Sequence, residues 1–381
     1  MNPFTEIIQR NRAWLCLDCG KCSSVCPITI HLADSYSSPR LLVETAISSG
    51  EDSVLDDPLL WSCLTCRRCS DICPSLVDFS SFIQDARQIA QKKDLSGDCT
   101  HSGMIQTWGR MMTNPDLSQD RVDWVNDDLK INDQSDTLYF PGCLPYYQEV
   151  FADLDMEGID IARGAVKILN HLGIEPVLLE NERCCGHDQY WQGDFENFQK
   201  LAHLNLEAIQ GTGAKRIVTT CPECAHTLKH TYSKEVGDHS LEVMHLVELL
   251  EDYDLVKDLG LAPGIENGLV TYQDPCRLGR FSGIYQQPRD LIRHSGYELV
   301  EMDHNRQTSL CCGTTCWSTC GQVNKKIQND RLSEARSTGA EILVTACVKC
   351  QIHLKCAQRD PFQDKEKVQI RDLTTLIADL I

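Results

Sequence analysis

The sequence predicts an α+α/β chain, in which a small cysteine-rich domain is followed by two copies of one α/β unit. Three observations carry this reading. Eighteen of the 22 cysteines fall into four spaced sets. The first two sets share one spacing, Cys-x-x-Cys-x-x-Cys-x-x-x-Cys-Pro. The last two sit inside a long stretch that recurs, with its flanking residues, at an offset of 126 to 133 residues.

The first domain is expected over residues 1–95. Its two sets run Cys16, Cys19, Cys22, Cys26, Pro27 and Cys63, Cys66, Cys69, Cys73, Pro74. Structural zinc sites use paired Cys-x-x-Cys rather than this triple spacing, so zinc is the weaker alternative. The run resembles the bacterial ferredoxin signature, in which three close thiolates hold one 4Fe-4S cubane and the fourth ligates the neighbouring cluster. That resemblance implies Cys16, Cys19, Cys22 and Cys73 on one cubane, and Cys63, Cys66, Cys69 and Cys26 on the other. Between Cys26 and Cys63 lie 36 residues that include an amphipathic stretch at 38–49. An insertion of this kind resembles the mainly helical ferredoxin domains of respiratory iron-sulfur subunits.

Residues 96–136 hold few strand signals and many Asp, Asn and Gly, and read as an irregular connector. Trp108, Met111, Met112 and Trp124 are expected to dock it. Residues 1–136 carry 12 basic and 20 acidic side chains, a balance of -8 within a net charge of -19, so acidity is spread along the chain. Such a surface opposes contact with a phosphate backbone and excludes nucleic acid as a natural partner.

The repeat is expected over 137–255 and 266–381. Cys143, Cys184-Cys185-Gly186, Cys221 and Cys224 match Cys276, Cys311-Cys312-Gly313, Cys347 and Cys350. A fixed long period signals two copies of one folding unit. In the first copy, 137–140, 176–179 and 217–220 read as strands, and 159–172 and 195–209 as helices. Strand and helix in alternation predict a parallel sheet. Ligands of such sheets sit beyond the carboxyl ends of the strands, where Cys143, Cys221, Cys276 and Cys347 fall. Adjacent cysteines point to different faces of a regular element, so a site using both needs the sharp turn that Gly186 and Gly313 permit.

With Cys-Cys-Gly and a later Cys-x-x-Cys in both copies, the chain resembles the CCG-domain iron-sulfur proteins. Joined to the double ferredoxin set, it is similar to the fused catalytic subunit of heterodisulfide reductases. The segments Tyr-Phe-Pro-Gly-Cys143 and Thr-Tyr-Gln-Asp-Pro-Cys276-Arg-Leu-Gly-Arg add to the likeness. The resemblance implies Rossmann-like units, each binding a noncubane 4Fe-4S cluster. One cluster would take Cys143, Cys184, Cys185, Cys221 and Cys224, the other Cys276, Cys311, Cys312, Cys347 and Cys350. The implied activity is reduction or formation of a disulfide between the two clusters. Two further readings stay open: an electron relay in a larger flavin-containing complex, and the iron-sulfur subunit of a quinone-linked dehydrogenase.

His187, directly after the first Cys-Cys-Gly, is the candidate proton donor, and His353 a weaker one. Cys316 and Cys320, four apart, would share a face if helical; Cys99 and Cys356 stand outside every set. No Gly-x-Gly-x-x-Gly follows a strand, so neither flavin nor nicotinamide is expected in this chain. A flavin-containing partner is expected to exchange electrons with it. With no secretory signal or membrane-spanning apolar run, the expectation is a cytoplasmic chain that meets a membrane only through a partner.

Overall fold

The computed structural model describes residues 3–32, 37–261, 267–359 and 367–381. The start expected for the second repeat, residue 266, lies outside them. The chain divides into two compact units that do not follow chain order. The first comprises Met1–Arg110, Gly186–Phe198 and Gln307–Arg331; the second comprises Met111–Cys185, Gln199–Arg306 and Leu332–Ile381.

Helices make up the regular structure of the first unit. The amphipathic stretch becomes the helix Pro39–Ser48, with Pro39 at its start and Ser38 accepting from the Leu41 amide at 3.3 Å. A proline has no amide to waste in the first turn, and the serine cap satisfies one orphan donor. Phe79–Gln91 is the central helix. It buries Phe82, Ile83, Ala86 and Ala90, and Phe82 meets Phe4 of the helix Pro3–Arg10 edge to face. Arg87, on the same helix, is fully buried. It donates to the carbonyls of Leu60 (2.7 Å), Cys63 (2.8 Å), Trp61 (3.2 Å) and Trp191 (2.9 Å). One guanidinium therefore ties the backbone around Cys63 to the helix His187–Gln192.

The second unit holds two parallel sheets. In the first, β1 (Thr137–Tyr139), β2 (Arg216–Thr219) and β3 (Glu242–His245) lie in that order. In the second, β4 (Leu269–Gln273), β5 (Glu298–Leu299), β6 (Ile342–Thr345) and β7 (Gln369–Asp372) take the order β5-β4-β6-β7. All pairs run parallel, as the strand–helix alternation predicts. Register follows burial: Leu138 pairs with Ile217 in one sheet and Thr271 with Leu343 in the other, all of them at the core.

The helices Gly158–His171 and Leu373–Ala378 join the two copies, and a Cβ at Gly164 would stand 3.0 Å from that of Ala378. Glu157 bonds Arg371 at 2.6 Å, the Asp372 amide at 2.8 Å and the Thr375 hydroxyl at 2.9 Å.

Two local expectations change. The strand expected at 176–179 shrinks to a single bridge between Val177 and Leu138. Residues 96–136 are not wholly irregular, because Met104–Met111 is a helix. Of the four anchors named there, Met112 and Trp124 are buried and Met111 is exposed.

Candidate metal centres

All 22 cysteines lie in described residues, and no disulfide joins them. Exposure divides the eight N-terminal cysteines along the two expected ligand groups rather than along the two motifs. Cys19 is exposed and Cys16, Cys22 and Cys73 are half-buried, whereas Cys26, Cys63, Cys66 and Cys69 are all buried. Cys22 is held above its ordinary value first by burial, with the charges of Cys16 and Cys73 adding to it. Cys63 is pushed up to about 12 by burial, against the pull of Arg87, with Cys26 and Cys66 beside it. Cys69 rises from burial and from the nearby charges of Cys66, Cys63 and Cys26. Cys73 and Cys16 thus act on Cys22, while Cys26 and, more weakly, Cys22 act on Cys69 of the second set. Crowded thiols in an apolar interior cannot ionise together without a cation, and a metal supplies that cation.

The first repeat gathers all five of its cysteines. Cys143 follows the end of β1 and Cys221 the end of β2, so both stand at carboxyl ends of strands. The Cys143 and Cys184 sulfurs are 3.9 Å apart, and those of Cys185 and Cys224 are 3.4 Å apart. Cys221 also raises the Cys224 thiol, and Cys184 that of Cys185, so each stands beside its neighbour. At Gly142, with φ of +64°, a Cβ would come within 2.9 Å of the Cys224 sulfur. A side chain there would fill the space against which the thiols are gathered. This donor set, five soft sulfurs and no carboxylate, fits an iron-sulfur cluster.

The backbone of the Cys-Cys turn is secured from several sides. The Cys184 amide donates to the Met112 sulfur at 3.3 Å, Asn205 donates to the Cys184 carbonyl at 3.0 Å, and the Tyr232 hydroxyl to that of Cys185 at 3.0 Å. Gly186 and Gly313 both adopt left-handed φ, +81° and +91°, which supplies the turn expected after each Cys-Cys pair.

Arg121 is a functional neighbour that sequence reasoning missed. It is buried, pairs with Glu182 at 3.1 Å, donates to the Gly142 carbonyl, and lies 4.6 Å over the Tyr146 ring. Burial pushes Glu182 up to about 8, against the pull of Arg121. The Cys143 thiol is raised by its hydrogen bond to Cys184 and by burial, with Arg121 opposing. The only sequence signal was one arginine in the acidic run Asp120-Arg121-Val122-Asp123.

In the second repeat, Cys276, Cys347 and Cys350 lie in the second unit and Cys311 and Cys312 in the first. Cys276 follows β4, and Cys347 follows β6 and opens the helix Val348–Gln358. Two residues before Cys276, Asp274 receives both terminal nitrogens of the buried Arg289, at 2.7 and 2.9 Å, and the Arg306 amide at 2.8 Å. Arg289 also binds Glu301 at 2.6 and 3.0 Å. Between the cysteines of each Cys-x-x-Cys stands a charged residue, Glu223 in one copy and Lys349 in the other. These two form an ion pair with both side chains nearly buried.

His187 is buried at the start of its helix in the first unit, with its ring 6.2 Å from that of Trp191. The five thiols of the first repeat lie in the other unit. His353 is buried on the helix that Cys347 opens. Cys316 and Cys320 do not share a helical face. Cys316 and Trp317 have left-handed φ of +50° and +54°, and Cys316 is buried while Cys320 is exposed. The turn is held within the first unit: Gln106 donates to both the Cys316 and Trp317 carbonyls at 3.1 Å, and the Thr100 amide to that of Trp317 at 2.7 Å. Among the described residues no helix is long and apolar enough to cross a membrane.

Residues 10–77 match the family described as a 4Fe-4S dicluster domain, and residues 137–229 and 270–355 the cysteine-rich CCG domain. One component of the dihydromethanophenazine:CoB–CoM heterodisulfide reductase of Methanosarcina barkeri is 31% identical over 271 residues, covering 69% of this chain and 63% of that protein. The chain therefore spans less than two thirds of that relative. The EtfAB:quinone oxidoreductase of Syntrophomonas wolfei is 31% identical over 201 residues, 50% of this chain and 28% of that one. One component of the fumarate reductase (CoM/CoB) of Methanothermobacter marburgensis is 28% identical over 220 residues, 57% of this chain and 41% of that one. A hypothetical protein from Helicobacter pylori shares the fold at TM-score 0.54 and 8% identity, covering 99% of this chain and 76% of that one. With a dicluster domain, two CCG domains and these relatives, the chain is a heterodisulfide reductase-like iron-sulfur protein.

Proposed function

We propose that this chain carries electrons between a partner and a disulfide or dithiol at its paired CCG repeats. The gathering of five thiols around the Cys184-Cys185 turn supports the reading most directly. Cys16, Cys19, Cys22 and Cys73 hold one cubane cluster, and Cys26, Cys63, Cys66 and Cys69 the other. Cys143, Cys184, Cys185, Cys221 and Cys224 hold one noncubane cluster. By equivalence of position, Cys276, Cys311, Cys312, Cys347 and Cys350 hold the second. When bound, the clusters supply one-electron transfer and iron sites that accept the sulfurs of a disulfide.

The chain's own residues do the rest. Buried thiolates exclude water from the inner sites, and Arg121 offsets negative charge beside Cys143. His187 is the proposed source of a proton for a nascent thiolate. The net reaction is R-S-S-R′ plus two electrons and two protons, giving two thiols. A flavin-containing partner supplies or accepts the electrons, since no nucleotide-binding glycine run is present in the sequence. The likeness to an EtfAB:quinone oxidoreductase favours a second reading, in which the chain only relays electrons between flavin and quinone chemistry.

Iron and sulfide analysis of anaerobically purified protein tests the cluster set. Four 4Fe-4S centres require about sixteen irons, and about eight would remove the noncubane sites. Oxidation of a reduced dye by heterodisulfides separates the two readings, since a relay gives no turnover.

A further inference from the structure

The exposed large apolar side chains of the first unit concentrate beside one thiol set. Leu15 and Leu17 flank Cys16, with Trp14 next to Leu15; Ile72 precedes Cys73; and the Leu76 amide bonds the Cys73 carbonyl at 3.1 Å. Trp14 is 59% exposed, Leu17 69%, Leu76 63% and Ile72 42%. Cys73 and Cys16 both act on Cys22, and the helices Lys21–Val25 and Arg68–Asp71 pack together, so these residues all adjoin one group of thiols. Isolated exposed leucines need no explanation, but a ring of them around half-exposed thiols does. Leu76 also holds a left-handed φ of +54°. For a branched side chain that conformation is strained, and such strain persists where a site requires it.

Charge indicates what covers the ring. Arg12 and Lys21, on either side of Cys16 and Cys19, are exposed. Asp18 is engaged by Arg40, and Asp71 by Arg67. Arg40 is shared with Glu44 and Asp78 is exposed near Leu76, so the cations that stand beside Cys16 and Cys22 are Arg12 and Lys21, in a chain whose net charge is -19. A second copy of this chain, acidic over most of its surface, would not be directed to face its own ring onto this one.

We propose that the apolar ring of Trp14, Leu17, Ile72 and Leu76, with Arg12 and Lys21 at its rim, docks a one-electron redox protein whose own centre is bordered by acidic side chains. This rests on the reading of Cys16, Cys19, Cys22 and Cys73 as a cluster site, and it makes that cluster the one that exchanges electrons with the outside. Apolar contact seats the partner close to the thiolates, and opposite charge orients it and raises its rate of encounter.

Stopped-flow reduction of the cluster-loaded protein tests this, with reduced flavodoxin, a small acidic one-electron flavoprotein, as probe and dithionite as the reductant that needs no docking. The combined variant Trp14→Asp, Leu17→Asp, Leu76→Asp should slow reduction by flavodoxin about tenfold or more, the range in which altered docking moves association rates. Reduction by dithionite and the iron content should stay the same. Val256→Asp, at an exposed apolar site in the other unit, should change neither rate. The Arg12→Glu, Lys21→Glu variant should lose the decline of the flavodoxin rate with salt that the parent shows. Equal flavodoxin rates in parent and ring variant would overturn the proposal. So would a parent reduced by dithionite but not by flavodoxin, or a parent dimer that the ring variant dissolves. Low iron in the parent would instead bring down the cluster reading on which the proposal stands.

Discussion

The two ligand groups expected in the dicluster domain each draw three thiols from one copy of a common motif and one from the other copy, yet their surroundings are opposite. Cys16, Cys19, Cys22 and Cys73 meet solvent, while Cys26, Cys63, Cys66 and Cys69 are enclosed, with Arg87 bonded to the carbonyl of Cys63. Two copies of one motif therefore supply one group of thiols open to solvent and one group enclosed. The difference lies in what packs on each set: apolar side chains open to solvent on one side, the central helix and its buried arginine on the other.

The largest effect expected from this contrast is on Cys69→Ser against Cys19→Ser. The buried change should cost a cluster and destabilise the whole first unit, whereas the exposed change should cost only its own site. Iron content together with thermal unfolding measures both, and equal losses in the two variants would break the contrast.

Next is Arg87→Ala. Removing one buried guanidinium strands four carbonyls and leaves a cavity, so unfolding by denaturant should show a loss of about 3–5 kcal/mol. Arg87→Lys should recover only a minor part, because an ammonium cannot reach four acceptors in a plane. A loss below about 1 kcal/mol would show that the inner set is enclosed without its help.

Burial governs charge in the second unit too. Asp372, which ends β7 and caps the helix after it, is raised from 3.8 to about 7 by burial. The native state thus binds its proton more tightly than the unfolded chain. The stability this provides is complete below about pH 4 and is lost as pH climbs through 7. Asp372→Asn should flatten the pH dependence of stability across that window, and an unchanged slope would contradict it.

The smallest effect belongs to the cap near the open set. Ser38→Ala should cost about 1 kcal/mol by freeing the first turn of Pro39–Ser48, read as a shift in the denaturation midpoint. No shift would mean that the Ser38 bond to Ser23, 3.0 Å long, and the Leu41 amide are replaced by water without loss.

Much of the candidate site was legible because cysteine chemistry is written in spacing. Each of Cys143, Cys221, Cys276 and Cys347 was placed at the end of a strand, and the strands do end there. The strand expected at 176–179 failed for a tertiary reason: Val177 finds one partner in Leu138, and the chain leaves the sheet before a ladder can form. The shared face expected of Cys316 and Cys320 failed because Gln106 and Thr100, over 200 residues away, hold the intervening backbone in a turn. Arg87 and Arg121 were invisible, since a buried arginine looks in sequence like any exposed one until its acceptors are known.

By itself the sequence determined the sulfur inventory, the duplication, the parallel strands and the glycines that let paired cysteines turn. These depend on local geometry and period, which neighbouring residues encode. Only the tertiary structure decided which thiols are open and which enclosed, which cations stand beside them, and that the stretches after each Cys-Cys pair fold with the N-terminal residues rather than with their own repeats. Exposure and charge environment are sums over everything packed around a residue, and that packing joins segments far apart in the chain.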